Sequence, residues 1–234
     1  MRLAVLQPSY LPWLGYFDQI DRVDVFVYYD DVQYDKNGWR NRNRVKGPNG
    51  PAWLTVPVKH SGLGLQRICD AEIDGDGWRQ KHLRSIAQFY AKAPYADRYI
   101  PGLTELLGRS WDRLVDLDIA VNAAIIGWLG LSAEIVRSST LDIAGDRNER
   151  LIEISRHFGA NHYLSGNAAQ SYVDLEAFTA AGIAVEWQNY SHPAYPQLHG
   201  DFVSHLSIID LLMNVGPESL AVLRSGRPID SPGS

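Results

Sequence analysis

The sequence has little cysteine, since Cys69 is the single thiol among 234 residues. One thiol cannot form an intrachain disulfide framework or a zinc site built from several thiolates, so both classes are excluded. Cys69 lies in a strand-like run, where a lone cysteine is typically a small core residue. A nucleophilic role is the less favoured alternative.

Excess positive charge and long apolar segments are also missing. The 22 lysines and arginines face 27 aspartates and glutamates, for a net charge of −5, so no basic field favours nucleic acid or an acidic membrane surface. The most apolar stretch, residues 119–131, is shorter than the roughly 20 residues that span a bilayer. The first residues lack the features of a signal peptide. We expect a cytoplasmic protein with no membrane partner and no nucleic-acid partner.

What is present is an alternation of strand and helix patterns. β-Branched and apolar runs predict strands at 3–6, 23–29, 133–139, 161–166 and 183–190. Helical patterns between or after them are at 14–20, 146–159, 174–182 and 204–216. Such alternation predicts a mainly parallel sheet flanked by helices, an α/β fold of the Rossmann-like or nucleotidyltransferase-like class.

Two segments depart from that alternation. Residues 52–60 and 66–74 are predicted as strands that pair with each other, and residues 77–130 as a helical insertion. The length fits one α/β domain at 1–224 that contains this insertion. The last ten residues, 225–234, are expected to form a flexible tail.

The loops that follow the predicted strands are the candidate ligand site. Open parallel sheets bind ligands beyond the carboxyl ends of their strands, near the point where the strand order reverses. The first and last of these loops combine stiffening prolines with flat aromatic rings that suit a planar or sugar-like ligand. We expect one pocket lined by Gln7, Tyr10, Trp13, His192 and Tyr195, and Gln197 of the last loop is a further candidate for substrate binding.

Three residues are candidates for acid–base chemistry. Asp30 and Asp31 end the second predicted strand, where paired carboxylates could hold Mg²⁺ or act as a general base. The alternative is that they cap a turn or pair with nearby arginines. His192 is the favoured general base because imidazole titrates near neutral pH, and an ordinary turn residue is the alternative.

The densest basic stretch contains Arg40, Arg42 and Arg44. If this segment is extended, these alternate residues face one way. Guanidinium groups bind phosphate or carboxylate through paired hydrogen bonds, so a diphosphate or the phosphate of an acyl carrier is the expected ligand. A solvated hairpin face is the alternative.

Two further pairs are candidate ligand contacts. Lys81 and His82 lie on a predicted helix, where a surface or core position is the alternative. Ser165 and Asn167 follow a predicted strand, so backbone amides there could bind an anion at a helix N-terminus. Ser165 lacks the sequence of a serine nucleophile elbow.

Several blocks resemble the WbqC-like family and together cover roughly residues 2 to 216. They are "QPSYLPWLGYFDQID", "YYDDVQYDKNGWRNRNRVKGPNGPAWLTVPV", "DGWRQKHLRSIAQFYAKAPY", "YLSGNAAQSYVD" and "HPAYPQLHGDFVSHLSIIDLLMNVG". The resemblance implies an association with bacterial O-antigen, surface-polysaccharide and secondary-metabolite biosynthesis, in which modified amino sugars are made.

The opening order of strand, proline-containing loop, helix and strand is similar to the start of HIGH-type nucleotidyltransferases. In those enzymes the first loop carries two histidines that bind ATP phosphates. This sequence departs from that pattern, because the loop holds Gln7, Tyr10 and Trp13 and no histidine precedes His60.

Three functions follow from these patterns. The first is a transferase that forms an amide on an amino sugar or similar amine from an acyl or aminoacyl donor, with a small-molecule or nucleotide-linked substrate and an acyl carrier as a candidate partner. The second is an ATP-using nucleotidyltransferase or ligase, which would use a nucleotide and Mg²⁺. The third is a noncatalytic partner of a biosynthetic enzyme.

Overall fold

The structure is a computed structural model that describes residues 1–36, 38–60, 62 and 64–228. Its strands are β1 (Arg2–Leu6), β2 (Val25–Tyr28), β3 (Arg42–Gly47), β4 (Gly50–Thr55), β5 (Glu134–Arg137), β6 (His162–Ser165) and β7 (Ala184–Trp187). Its α-helices are α1 (Leu14–Asp21), α2 (Gly77–Phe89), α3 (Ala96–Gly108), α4 (Leu114–Leu129), α5 (Arg147–His157), α6 (Leu175–Ala180), α7 (Ile208–Val215) and α8 (Ser219–Arg224).

The central sheet is parallel and has the order β5-β2-β1-β6-β7. The chain moves outward from β1 through β2 to β5, and then returns to the other side of β1 for β6 and β7. The strand order therefore reverses between β1 and β6, where a crevice is expected at the carboxyl edge. The predicted α/β class with a mainly parallel sheet is confirmed.

Both faces of the sheet are buried, which explains the nearly continuous apolar runs in its strands. Successive side chains of β1 point to opposite faces. Leu3 and Val5 belong to the core shared with α5 and α6, whereas Ala4 belongs to the larger core that contains residues of α1, α2, α3, α4 and α7.

The long connection between β2 and β5 carries the antiparallel hairpin β3–β4 and the helices α2, α3 and α4. These helices occupy the region 77–129, where the sequence predicts a helical insertion. The predicted pairing of 52–60 with 66–74 is reduced to one bridge between Val58 and Ile73. Cys69 lies in a 3₁₀ turn at Ile68–Asp70 rather than in a strand, and burial raises the pKa of its thiol.

Helix α7 begins four residues later than the sequence pattern predicts. Ser207 is its N-cap and accepts a hydrogen bond from the backbone of Ile209, and a side-chain cap of this kind defines a helix start. His205 has a φ of +57°, which is left-handed backbone that a helix starting at 204 could not contain.

The sequence also predicts a flexible C-terminal tail and no membrane-spanning helix. Arg227 pairs with Asp18 and Asp21 of α1, so the first part of the predicted tail contacts the domain. Residues 229–234 lie outside the described residues. Throughout the described ranges, each helix is too short or too polar to cross a bilayer.

Candidate functional site

A cleft of about 640 Å³ opens at the carboxyl edge of the sheet where the strand order reverses. Leu6 and Gln7 at the end of β1 form one wall, and Ser165 and Gly166 at the end of β6 form another. The remaining walls come from the segments after β2 and β6, from Arg40, and from the first turns of α5 with the preceding Asp146. The parallel topology thus places the cleft where a ligand site is expected.

Two arginines of α5 line this cleft. Asp146 caps the helix and forms a reciprocal capping box with Glu149, so α5 starts at Arg147. Arg147 and Arg150 lie three residues apart and share one helix face. The guanidinium carbon of Arg147 is 4.4 Å from the ring centre of Tyr172. This ring contact orients the exposed guanidinium group of Arg147 at the cleft.

Arg40 supplies the third guanidinium group. Its Nη1 donates hydrogen bonds to the carbonyl oxygens of Gln7 at 3.0 Å and Pro8 at 3.3 Å. Burial lowers the pKa of Arg40, yet an arginine stays charged at neutral pH because its ordinary pKa is above 12. The loop after β1 therefore holds a fixed cation at the cleft.

The two arginines of α5 differ in how they are neutralised. Arg150 pairs with Asp31 and lies 5.0 Å from the ring centre of Tyr29. Arg147 is exposed and makes no ion pair within the described ranges. Asp146 accepts hydrogen bonds from the Asn148 and Glu149 amides of α5. An anion in the cleft would therefore meet guanidinium groups before helix amides.

The polar wall of the cleft continues into a second, open groove of about 700 Å³. The two cavities share Gln7, Val32 and Arg147. The groove is also lined by Tyr34, Asp35, Lys36, His60 and Gln66. Its mixture of hydroxyl, amide and charged groups suits a polar molecule such as a sugar.

Asp30 and Asp31 have structural partners. Asp30 is fully buried and accepts hydrogen bonds from Arg137 at 2.7 Å and from the backbone amide and the hydroxyl of Ser139, both at 2.9 Å. Asp31 accepts from Ser138 at 2.5 Å and also pairs with Arg150. Both carboxylates have arginine partners, but these are Arg137 of β5 and Arg150 of α5 rather than arginines of the nearby basic segment.

The three candidates in the loop after β1 point in different directions. Gln7 lines the cleft. Tyr10 is fully buried and its hydroxyl is 2.9 Å from Nδ1 of His82. The indole of Trp13 stacks on His192 and His205, with ring centres 6.1 and 5.0 Å apart. The expected single pocket is therefore divided among a cleft, a core position and an aromatic cluster.

The adjacent residues Lys81 and His82 differ in how far they are buried. His82 is 1% exposed, and burial lowers its pKa to about 4 against a smaller opposing effect of a backbone hydrogen bond with Thr55. Lys81 is exposed on the same helix. The contacts of His82 match the core alternative rather than a ligand contact.

His192 has a defined tautomer. Its Nδ1 lies 2.9 Å from the carbonyl oxygen of Pro193, so Nδ1 carries the proton and donates it, and the lone pair is on Nε2. Nε2 is buried and has no hydrogen-bond partner among the described residues. Burial lowers the pKa of His192. The ring is therefore a neutral base, but it does not line the cleft.

The other candidates of the last loop serve a buried network. The Tyr195 hydroxyl donates to Asp210 at 3.0 Å, and the Tyr90 hydroxyl donates to the same carboxylate at 2.8 Å. Gln197 accepts from the ammonium group of Lys46 at 3.2 Å. Through these contacts the loop after β7 is hydrogen-bonded to α7 and to the β3–β4 hairpin.

Arg42 and Arg44 lie on the hairpin, apart from Arg40. Arg42 lies 4.8 Å from the ring centre of Trp53, and Arg44 lies 5.9 Å from that of Trp39. Trp39 and Trp53 are themselves in ring contact and about half exposed. The two half-buried arginines thus pack against half-exposed indoles, and Arg40 is the one of the three that lines the cleft.

Ser165 and Asn167 are close in the chain but have different environments. Ser165 is buried at the cleft wall, with 5% of its surface exposed. The side-chain amide of Asn167 donates to Asn189 at 2.9 Å, and its oxygen accepts from the Asn189 backbone at 2.9 Å. Asn167 therefore joins two strand-end loops.

The structure brings Gln7, Arg40 and Ser165 together, and it adds residues that sequence reasoning missed. Arg147 and Arg150 follow the capping sequence of Asp146 and Glu149, which marks a helix N-terminus directly after a strand-end loop. That signal could have identified both arginines. Among the described residues, no group of three or more histidine, cysteine, aspartate or glutamate side chains could hold a metal ion.

Comparisons with known proteins identify relatives. Residues 7–222 match the WbqC-like protein family. The chain is 39% identical over 225 residues to a protein of Mycobacterium tuberculosis (strain ATCC 25618 / H37Rv) named "Uncharacterized protein Rv1507c", with 95% of this chain and 97% of that protein covered. No solved structure matches the chain.

Proposed function

The chain belongs to the WbqC-like protein family, and from this premise we propose that it is a small-molecule transferase of polysaccharide or secondary-metabolite biosynthesis. It forms an amide on an amino sugar or a similar amine, and it transfers an acyl or aminoacyl group. The observation that carries the proposal is the convergence of Arg40, Arg147 and Arg150 on one cleft at the strand-order reversal. Guanidinium groups bind phosphate oxygens through paired, charge-assisted hydrogen bonds.

The shape of the site supports two substrates. The cleft and the groove are separate spaces that meet at Gln7 and Arg147. A phosphate-bearing substrate in the cleft and a polar amine in the groove would be neighbours at this junction. Holding two reactants in contact lowers the barrier by replacing an encounter in solution.

Amide formation needs a base for the amine proton and cationic groups near the leaving group, where negative charge develops. The amine nitrogen attacks the carbonyl carbon, a C–N bond forms, the bond from that carbon to the phosphate-bearing leaving group breaks, and one proton leaves the nitrogen. Arg40 and Arg147 would stabilise the negative charge that develops on the leaving group.

His60 is the better placed base because it lines the groove. Its Nδ1 lies 3.0 Å from the carbonyl oxygen of Val58, which fixes the proton there and leaves Nε2 to accept the proton of the amine. His192, the base that the sequence favours, lies in the aromatic cluster with a buried Nε2. In this proposal His192 positions Trp13.

A second candidate, a nucleotidyltransferase or ligase, is favoured by the strand order. The reversal between β1 and β6 and the cationic cleft beyond it suit a nucleotide with its phosphates at the sheet edge. This alternative predicts Mg²⁺-dependent turnover of ATP and release of pyrophosphate, whereas amide formation from an activated donor requires neither.

Calorimetric titration tests the anion site that both candidates share. The probes are a nucleoside diphosphate sugar, ATP with Mg²⁺ and inorganic pyrophosphate. Arg147→Gln should weaken binding of the phosphate-bearing probe by at least about tenfold, because a hydrogen bond to a charged group contributes roughly 1.5–3 kcal/mol. The control is Arg156→Gln on the same helix, since Arg156 is exposed and pairs with Glu153 away from the cleft.

The outcomes separate the proposed functions. Amide product from an activated acyl donor and an amine, detected by mass spectrometry, supports the transferase. Pyrophosphate release from ATP supports the second candidate. Equal affinities of the two arginine variants would contradict the anion site, and no binding of any probe would favour a noncatalytic partner of a biosynthetic enzyme.

A further inference from the structure

A smaller cavity of about 250 Å³ adjoins the cleft. It shares Leu6 and Arg40 with the cleft. Its other lining residues are Ser9, Pro12, Trp13, Tyr16, Trp39, Asn43 and His205. Three aromatic side chains and a proline therefore surround a space that begins where the cationic cleft ends.

The polar groups around this apolar pocket are largely engaged by the protein. The amide nitrogen of Asn43 donates to the carbonyl oxygen of Leu11 at 2.8 Å, and its oxygen accepts from the Arg44 backbone at 2.8 Å. The Tyr16 hydroxyl donates to the Gln7 carbonyl oxygen at 3.1 Å. The pocket consequently offers a ligand mainly rings and aliphatic carbon, which favour an apolar group.

The walls of the pocket differ in ring contacts and in exposure. Trp13 is held between His205 and Tyr190, with ring centres 5.0 and 5.7 Å away. Trp39 forms the outer wall and is 45% exposed, so a ligand group beneath it would remove apolar surface from water. An apolar cavity of about 150 Å³ holds benzene, and this pocket is larger.

We infer that the apolar pocket binds the acyl group of the donor whose anionic part binds in the cleft, an inference that rests on the proposed function. Because Arg40 borders both spaces, the acyl group must be attached close to the anion. An acyl phosphate or acyl adenylate with a branched, aliphatic or aromatic acyl group meets that condition. A carrier thioester does not, since a long arm separates its phosphate from its acyl group.

Alkylphosphonates test this inference because they join an anion directly to an apolar tail. Binding of methyl-, propyl-, butyl- and benzylphosphonate to the full chain is measured by calorimetry. Affinity should rise by about fourfold for each added methylene, the gain expected for burying one such group, and benzylphosphonate should bind much more tightly than methylphosphonate. Equal affinities across the series would overturn the inference.

Two matched tryptophan variants locate the tail. Trp39→Ala should remove most of the gain from the tail while leaving methylphosphonate binding unchanged. Trp53→Ala is the control, because Trp53 lies on β4 beside Trp39, is 47% exposed and does not line the pocket. Circular dichroism and the Tm of each variant check the fold. An equal loss of the tail gain in both variants, or no loss in either, would overturn the assignment.

The series also separates this inference from the proposed function. If the parent protein binds methylphosphonate, Arg147→Gln loses that binding, and a longer tail brings no gain in affinity, then the anion site is supported and the acyl pocket is refuted. No binding of any phosphonate contradicts the anion site and, with it, the inference.

Discussion

Charged side chains have opposite environments in the cleft and in the interior behind it. Arg147 in the cleft is exposed and leans on the ring of Tyr172. Asp118 on α4 is fully buried, and neither of its carboxylate oxygens has a hydrogen-bond partner among the described residues. The positive charge of Arg147 is therefore available to a ligand, whereas a carboxyl group in the interior has to be neutralised by the protein itself.

Two buried carboxyl groups of the interior avoid an isolated negative charge in different ways. Burial raises the pKa of Asp118, which favours the protonated form. Asp210 is also buried and its pKa is raised by burial, but two tyrosine hydroxyls donate to it and oppose that shift. Isolated buried charge is costly, so an interior carboxyl either takes up a proton or receives donors.

The largest expected effect comes from removing the shared acceptor of the tyrosine network. Asp210→Ala leaves the buried hydroxyls of Tyr90 and Tyr195 without their acceptor, and each unsatisfied group costs roughly 1–3 kcal/mol. We expect the free energy of unfolding, measured with urea, to fall by about 4 kcal/mol. Asp210→Asn is the control, since its amide oxygen still accepts, and it should lose clearly less. Equal losses would show that the network adds nothing beyond packing.

The second prediction concerns the neutral histidine beneath the loop after β1. His82 has a pKa of about 4 in the folded chain because of burial, against about 6.5 when unfolded. Since the unfolded chain binds the proton more readily, the contribution of His82 to stability is complete above pH 6.5 and is lost as the pH falls toward 4. The loss should amount to roughly 3 kcal/mol.

His82→Gln serves as the reference for that measurement. Glutamine does not titrate, and its oxygen can accept from the Tyr10 hydroxyl in place of the imidazole nitrogen. Unfolding free energies of both proteins are compared at intervals between pH 7 and 4, so that other titrating groups cancel. A difference that stays constant over this range would mean that His82 is not held neutral.

The stability contribution of Asp118 should depend on pH with the opposite sign to that of His82. Its pKa is raised in the folded chain, so its stability contribution is complete below the unfolded pKa of about 3.9 and falls as the pH rises. Asp118→Asn removes that titration and should therefore make the protein more stable than the parent protein at pH 7. A variant that is less stable at pH 7 would contradict the protonated state of Asp118.

The sheet and part of the cleft could be predicted from the sequence. Strand and helix periodicity predicted the parallel sheet, because the side-chain pattern of each strand is set locally by burial on one or both faces. The cleft position followed from topology, and Gln7 and Ser165 lie there because Gln7 follows β1 and Ser165 ends β6. Local rules were sufficient for those residues.

Other residues depended on packing that the sequence does not encode locally. Tyr10 and Trp13 are three residues apart in one loop, yet Tyr10 enters the core against α2 and Trp13 joins residues of the last loop. Asp31 meets Arg150 from a helix more than a hundred residues away instead of the nearby basic segment. Which arginine meets which carboxylate is decided by the crossover connections, so residue type alone could not assign these roles.

The smallest expected effect is in the cleft, where the ring of Tyr172 holds Arg147 at 4.4 Å. Tyr172 is 44% exposed, and a cation–π contact at an exposed site is worth about 0.5–1 kcal/mol. Tyr172→Leu should therefore weaken pyrophosphate binding by about two- to fivefold through a less ordered Arg147, with an unchanged Tm. Tyr172→Phe keeps the aromatic face and should bind like the parent protein, because the hydroxyl is not needed for the contact with Arg147. If Tyr172→Phe weakened binding as much as Tyr172→Leu, the hydroxyl rather than the ring would act on the anion, and the cleft would resemble the interior in using tyrosine as a hydrogen-bond donor.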